Sequence, residues 1–130
     1  MRLNMDCIRA VLLWVEENQK IESIVNGELN QFMSTQIPQH IEEYSAEDVL
    51  YSIRQMIYSG LLDARVGTSE IYSIRDITPK GHEFIGGIRS NDNWDKTKAV
   101  AKKAGATTLG AVINISSKIV AEIIKSTLMG

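Results

Sequence analysis

Apolar side chains recur at helical spacing near the start of the chain. Ile8, Val11, Leu12 and Val15 fall at i, i+3, i+4 and i+7, one face of an α-helix. Leu13 and Trp14 widen the stripe, Asp6 or Asn4 is placed to cap its start, and Glu16-Glu17-Asn18 end it. The pattern then shortens. Ile21 to Val25 and Leu29 to Met33 read as short strands around the turn dipeptide Asn26-Gly27, and Pro38 opens a short helix from Pro38 to Glu43. Ser45 caps a second periodic helix, Ala46 to Ser59, with Asp48 at its third position as an acidic capping-box variant. Val49, Ile53, Met56 and Ile57 form its apolar face, Leu50 flanks that face, and Gly60 supplies the left-handed residue that ends it.

The period then changes from 3.6 to two. Leu62, Ala64 and Val66 alternate with Leu61, Asp63 and Arg65, Gly67-Thr68-Ser69 makes a turn, and Ile71 to Ile77 returns. In the returning strand Tyr72 and Ile74 share one face, and Ile71, Ser73, Arg75 and Ile77 the other. Thr78-Pro79 opens a helix bearing His82, Phe84, Ile85 and Ile88, weakened by Gly86-Gly87. Asn91 or Asp92 caps the next helix, Gly105 stops it, and Thr107 or Thr108 starts the last. This order predicts an α+β fold: a winged helix-turn-helix over residues 1–90 and a C-terminal helical extension over 91–130.

Composition narrows this picture without naming an activity. The 130 residues are 44% hydrophobic and 23% charged, as in an ordinary soluble domain, and the single cysteine, Cys7, excludes an internal disulfide. The net charge of −2 is uneven: residues 1–64 carry −6 and residues 65–130 carry +4. A pI of 5.7 is far from the value above about 9 typical of nucleic-acid-binding domains, so any contact with phosphate needs a local patch. The opening residues lack an apolar signal region, which predicts a cytoplasmic protein. The apolar stretch 106–129 is interrupted by Lys118, Glu122 and Lys125, which argues against a membrane span.

No residue pattern predicts catalysis. Cys7 has no histidine at local spacing and reads as a buried thiol; His40 and His82 stand in no metal-ligand motif, and His82 reads as a packing or capping residue. Glu16-Glu17 and Glu42-Glu43 point in different directions on a helix, and Gly86-Gly87 lacks the context of a phosphate loop. The sequence therefore predicts no enzyme, no metal and no cofactor. Two binding surfaces are predicted instead. The Ala46–Ser59 helix and the hairpin offer Tyr51, Ser52, Arg54, Gln55, Arg65, Thr68, Ser69 and Arg75 as DNA contacts, opposed by Glu47 and Asp48 at the helix start. The last helix carries Leu109, Val112, Ile113, Ile119, Val120, Ile123 and Ile124 on a stripe broad enough to predict a homo-oligomer interface.

Two stretches carry a resemblance. The run from Tyr72 to Ile85, with Ile77-Thr78-Pro79-Lys80-Gly81 at its centre, is similar to the end of the wing in MarR-like and PadR-like regulators. More specifically, Met1-Arg2-Leu3-Asn4-Met5-Asp6-Cys7-Ile8-Arg9, Tyr44-Ser45-Ala46-Glu47-Asp48-Val49-Leu50-Tyr51 and Ile77 to Phe84 resemble domain-of-unknown-function family 2513. So do Asn93-Trp94-Asp95-Lys96-Thr97-Lys98 and the Lys103-Ala104-Gly105 break that follows them. The chain departs from the family pattern around residues 24–36. The resemblance implies a small phage or prophage protein of Gram-positive bacteria and brings no site residues with it. The first expectation is then a dimeric DNA-binding regulator; the alternative is a module that binds a host protein, such as a defence factor, and blocks or redirects it without contacting DNA.

Overall fold

The structure is a computed structural model that describes residues 2–18, 32–66 and 72–129. Helix α1 spans Met5–Asn18 and strand β1 Phe32–Met33. Two 3-10 turns, Ser34–Gln36 and Pro38–His40, lead to α2 at Ala46–Tyr58. Strands β2 (Leu62–Val66) and β3 (Tyr72–Ile77) follow, then α3 (Pro79–Ile88), α4 (Asn91–Ala104) and α5 (Leu109–Met129). The described residues are thus mostly helical with one small antiparallel sheet in the order β1-β3-β2, an α+β arrangement. Asn26-Gly27 and the segment Ile21 to Val25 lie outside the described residues, as do Gly67, Thr68, Ser69 and Ile71.

Local chemistry sets the helix ends. Asn4, not Asp6, caps α1: its Oδ1 accepts the Cys7 N–H at 3.1 Å. Ser45 Oγ accepts from Asp48 N at 3.1 Å, as the sequence predicts. The α2 carboxyl end closes in a Schellman motif, with Leu61 N donating to Met56 O and Gly60 N to Ile57 O, and Gly60 at φ +79°. Ser90, rather than Asn91 or Asp92, caps α4, because its Oγ reaches Asn93 N at 3.0 Å. Thr108 caps α5 through Ala111 N at 3.2 Å. The helix expected from Pro38 to Glu43 is only the 3-10 turn Pro38–His40, since Ile41 leaves helical geometry to enter the core.

The hairpin departs from simple alternation. Ala64 pairs with Ile74 but Asp63 pairs with Asp76, so Arg75 is an extra residue in β3. This bulge turns Ile77 to the same side as Tyr72 and Ile74, and all three are buried. Alternation alone had placed Ile77 on the opposite face. At the end of β3, Thr78 Oγ1 donates to Gly60 O and accepts from Gly81 N, tying the start of α3 to the end of α2. A Cβ on Gly81 would stand 2.3 Å from Leu61 O, so only glycine lets α3 come this close.

One hydrophobic cluster joins the five helices with strands β2 and β3. It runs from Cys7, Val11 and Leu12 of α1 through Val49, Ile53 and Met56 of α2 to Phe84, Ile85 and Ile88 of α3. Trp94 and Ala101 of α4 and Leu109, Val112 and Ile113 of α5 belong to the same cluster. Gly87 is a seat in this core rather than a weak point: a Cβ there would lie 2.8 Å from Ser116 Oγ and 3.0 Å from Val120 Cγ2, which is how α5 packs onto α3. No helix among the described residues is long and apolar enough to cross a membrane.

Candidate functional site

The outward face of α2 is the first surface to consider. Glu47 is exposed, Asp48, Tyr51, Arg54 and Gln55 are half-buried, and Leu50 and Tyr58 are 38% and 68% exposed. Ser52 does not belong to this face. It is buried against α1, where its hydroxyl makes no hydrogen bond of ordinary geometry and faces the Cys7 thiol. It therefore cannot touch a nucleic-acid base. On the hairpin, Arg65 and Arg75 are exposed, while Thr68 and Ser69 lie outside the described residues. Burial pushes the Cys7 thiol up, an effect that the adjacent Ser52 hydroxyl opposes, so the thiol is protonated and inaccessible.

The α5 stripe divides in two. Leu109, Val112 and Ile113 are buried in the chain's own core and are not available to a partner. Ile119 and Val120 are half-buried, and Ile123 and Ile124 are 38% and 53% exposed. Leu128 and Met129 are 81% and 79% exposed. The split falls just beyond the contact with α3: Gly87 lies against Ser116 and Val120, and from Ala121 to Met129 the helix is exposed.

The segments that carry the family resemblance meet in space. Asp6 Oδ1 accepts from Trp94 Nε1 at 2.8 Å and from Lys98 Nζ at 2.9 Å. Burial alone would raise the Asp6 carboxyl, but these hydrogen bonds and the nearby Lys98 and Arg9 charges hold it below the ordinary carboxylate value. Arg9 donates to Ile88 O, Arg89 O and Asn91 Oδ1, closing the carboxyl end of α3 while lying 6.0 Å from the Trp94 ring centroid. Lys98 Nζ stands 5.7 Å from the same ring. A further pair, Arg89–Glu16 at 2.7 Å, ties the end of α1 to the same corner. The motif residues Asp6, Arg9, Trp94 and Lys98 thus form an architectural lock between α1 and α4.

His40 is exposed and stacks on Trp14 at 5.1 Å between ring centroids, and His82 is exposed on α3 rather than packed. Among the described residues no three histidine, cysteine or acidic side chains are grouped to hold a metal ion. The lock was invisible to periodicity, because its α1 members sit 85 to 92 residues from its α4 members. The resemblance segments were the signal that pointed to it. Neither a curated protein nor a solved structure matches the chain. A family model does match, over residues 2–107, from the arm before α1 through the turn after α4, and the chain therefore belongs to the family described as hypothetical protein (DUF2513).

Proposed function

We propose that the chain is a non-catalytic interaction module of winged-helix type that binds a protein through the outward face of α2. The order α1, α2, β2–β3 hairpin supports this fold reading, with α2 in the place of a recognition helix. The observation that supports a protein partner is the make-up of that face. Glu47, Leu50, Tyr51, Arg54 and Tyr58 share one side of the helix, at successive spacings of three, one, three and four residues, with Leu50 and Tyr58 exposed. Tyrosines and an arginine around an exposed leucine have the composition of a protein-binding hot spot. Glu47, exposed at the helix start, would instead meet the phosphates of a duplex entered by that end. In the phage setting that the resemblance implies, the partner is a host protein that the module inhibits or redirects.

Duplex DNA is the second reading. It is favoured by the exposure of Arg65 and Arg75 on the strands next in sequence to α2. Salt separates the two, because phosphate contacts release counterions. Mixed-sequence duplex is expected not to bind at about 50 mM salt; binding that weakens steeply towards about 200 mM would favour DNA instead. A photo-crosslinking residue at Tyr58 is expected to capture one protein in cells that make the chain, and Leu50→Asp to abolish that capture. The proposal also includes self-association, with a second copy covering the exposed end of α5.

A further inference from the structure

Segment 2–4, which precedes α1, lies between two recesses. One, of about 540 Å³, is lined by Arg2, Leu3, Met5, Tyr51, Ala106 and Thr107. The other, of about 570 Å³, shares Arg2, Leu3 and Met5 and reaches Asp48, Lys98 and Lys102. The two recesses adjoin along Arg2, Leu3 and Met5 and together form a divided trough between α2 and the α4–α5 turn. Its floor is apolar: Leu3, Met5 and Ala106 are half-buried and packed against the core, and Tyr51 is half-buried beside them.

Its rim is cationic on balance. Asp6 and Lys98 face the trough but are joined to each other at 2.9 Å, so their charges cancel locally. Asp48 is the remaining carboxylate at the rim, against two remaining cations, Arg2 and Lys102. Both cations are exposed, and their side chains make no ion pair or hydrogen bond among the described residues. The recess that holds Tyr51 has Arg2 and no carboxylate. Members of three resemblance-bearing stretches line it: Arg2 to Asp6, Asp48 with Tyr51, and Lys98.

From this convergence we infer that the trough is a docking site for an acidic-apolar peptide segment of a partner protein, an apolar side chain seated on Leu3, Met5 and Tyr51 and a carboxylate held by Arg2 and Lys102. An apolar floor without cations would take any hydrophobic segment, and exposed cations without a floor would take any anion. Their combination selects a carboxylate next to an apolar side chain, because charge-assisted hydrogen bonds supply orientation and the floor supplies area. The inference rests on the protein-binding reading, and extends it from the α2 face across Tyr51 to a second surface.

The test uses the full chain labelled with ¹⁵N and an N-acetylated, C-amidated hexapeptide of alternating leucine and glutamate. The control is the same peptide with lysine in place of glutamate. Saturable amide shifts are expected at residues 2–6, Tyr51 and 102–107, with the glutamate peptide bound at least about tenfold more tightly. Arg2→Glu and Lys102→Glu should each weaken it by about tenfold and leave the rest of the spectrum in place. Equal binding of the lysine peptide, shifts elsewhere, or no saturable shift at millimolar peptide would overturn the inference. So would mixed-sequence duplex DNA that moves the same amides and competes with the peptide. Trough shifts with no effect of Leu50→Asp or Tyr58→Ala on partner capture keep the trough and retire the α2 face. Capture that depends on Leu50 and Tyr58 but not on Arg2 or Lys102, with no trough shifts, does the reverse.

Discussion

In the first two turns of α5, Leu109, Val112, Ile113 and Ser116 are buried, whereas every residue from Ala121 to Met129 is exposed. Both parts are rich in isoleucine, valine and leucine. What differs is the neighbour. The first part packs on α3 and α4, with Ser116 against Gly87; the second has no cover among the described residues. An apolar stripe states that a helix needs cover and does not say what provides it. The same contrast holds on α2, where Val49, Ile53 and Met56 meet the core and Leu50 and Tyr58 meet solvent.

Truncation in the buried half should have the largest effect. Leu109→Ala is expected to lower unfolding free energy by about 2–5 kcal/mol in a urea titration, and Leu128→Ala by less than about 0.5 kcal/mol. Equal costs at the two positions would remove the distinction between the halves.

The seat at Gly87 should come next. Gly87→Val places methyl groups where Ser116 and Val120 already stand, and is expected to cost about 1–3 kcal/mol. Gly86, one residue away, has nothing within 4 Å of a built Cβ, so Gly86→Ala should stabilise the helix by about 0.5–1 kcal/mol. Thermal unfolding of the two variants should therefore shift in opposite directions.

The lock at Asp6 is half-exposed, so its contribution is smaller, below about 1 kcal/mol. Because the folded carboxyl sits below its unfolded value, the stability it adds is present above that value. It is lost as the pH falls through the folded value. Asp6→Asn should be less stable than the unmodified chain at pH 7, and the gap should close below about pH 4. A gap that persists at low pH would assign the effect to packing of Trp94 instead of charge.

The smallest effect on folding is expected in the exposed half. Ile123→Asp with Ile124→Asp should change stability by less than about 0.5 kcal/mol while converting a sedimenting dimer to a monomer at micromolar concentration. Unfolding of the variant would show these positions to be internal core, and a monomeric unmodified protein would defeat the self-association proposal.

Much of the architecture was legible in the chain. The α1 and α2 stripes, the Ser45 cap, the Gly60 and Gly105 stops and the Thr78-Pro79 start lie where local rules place them, since each depends on residues a few positions apart. Local rules do not single out Ser90 as a cap, because Asn91 and Asp92 are equally good capping types. The surfaces are less legible. The helical pattern sets Tyr51 and Arg54 outward but Ser52 with them, and only the position of Ser52 beside Cys7 across the α1–α2 interface reveals it as core.

By itself the sequence determined where helices begin and end, that a two-residue period would follow a helical one, and that the last helix carried more apolar surface than water tolerates. These are consequences of backbone geometry and side-chain spacing within one element. Tertiary structure alone decided that Arg75 bulges and turns Ile77 inward, and that Gly87 seats α5. It also decided that Asp6, Arg9, Trp94 and Lys98 close a lock, and that Arg2 and Lys102 border the divided apolar trough. Those outcomes join positions tens of residues apart, and no local pattern encodes a distance that only the packed core sets.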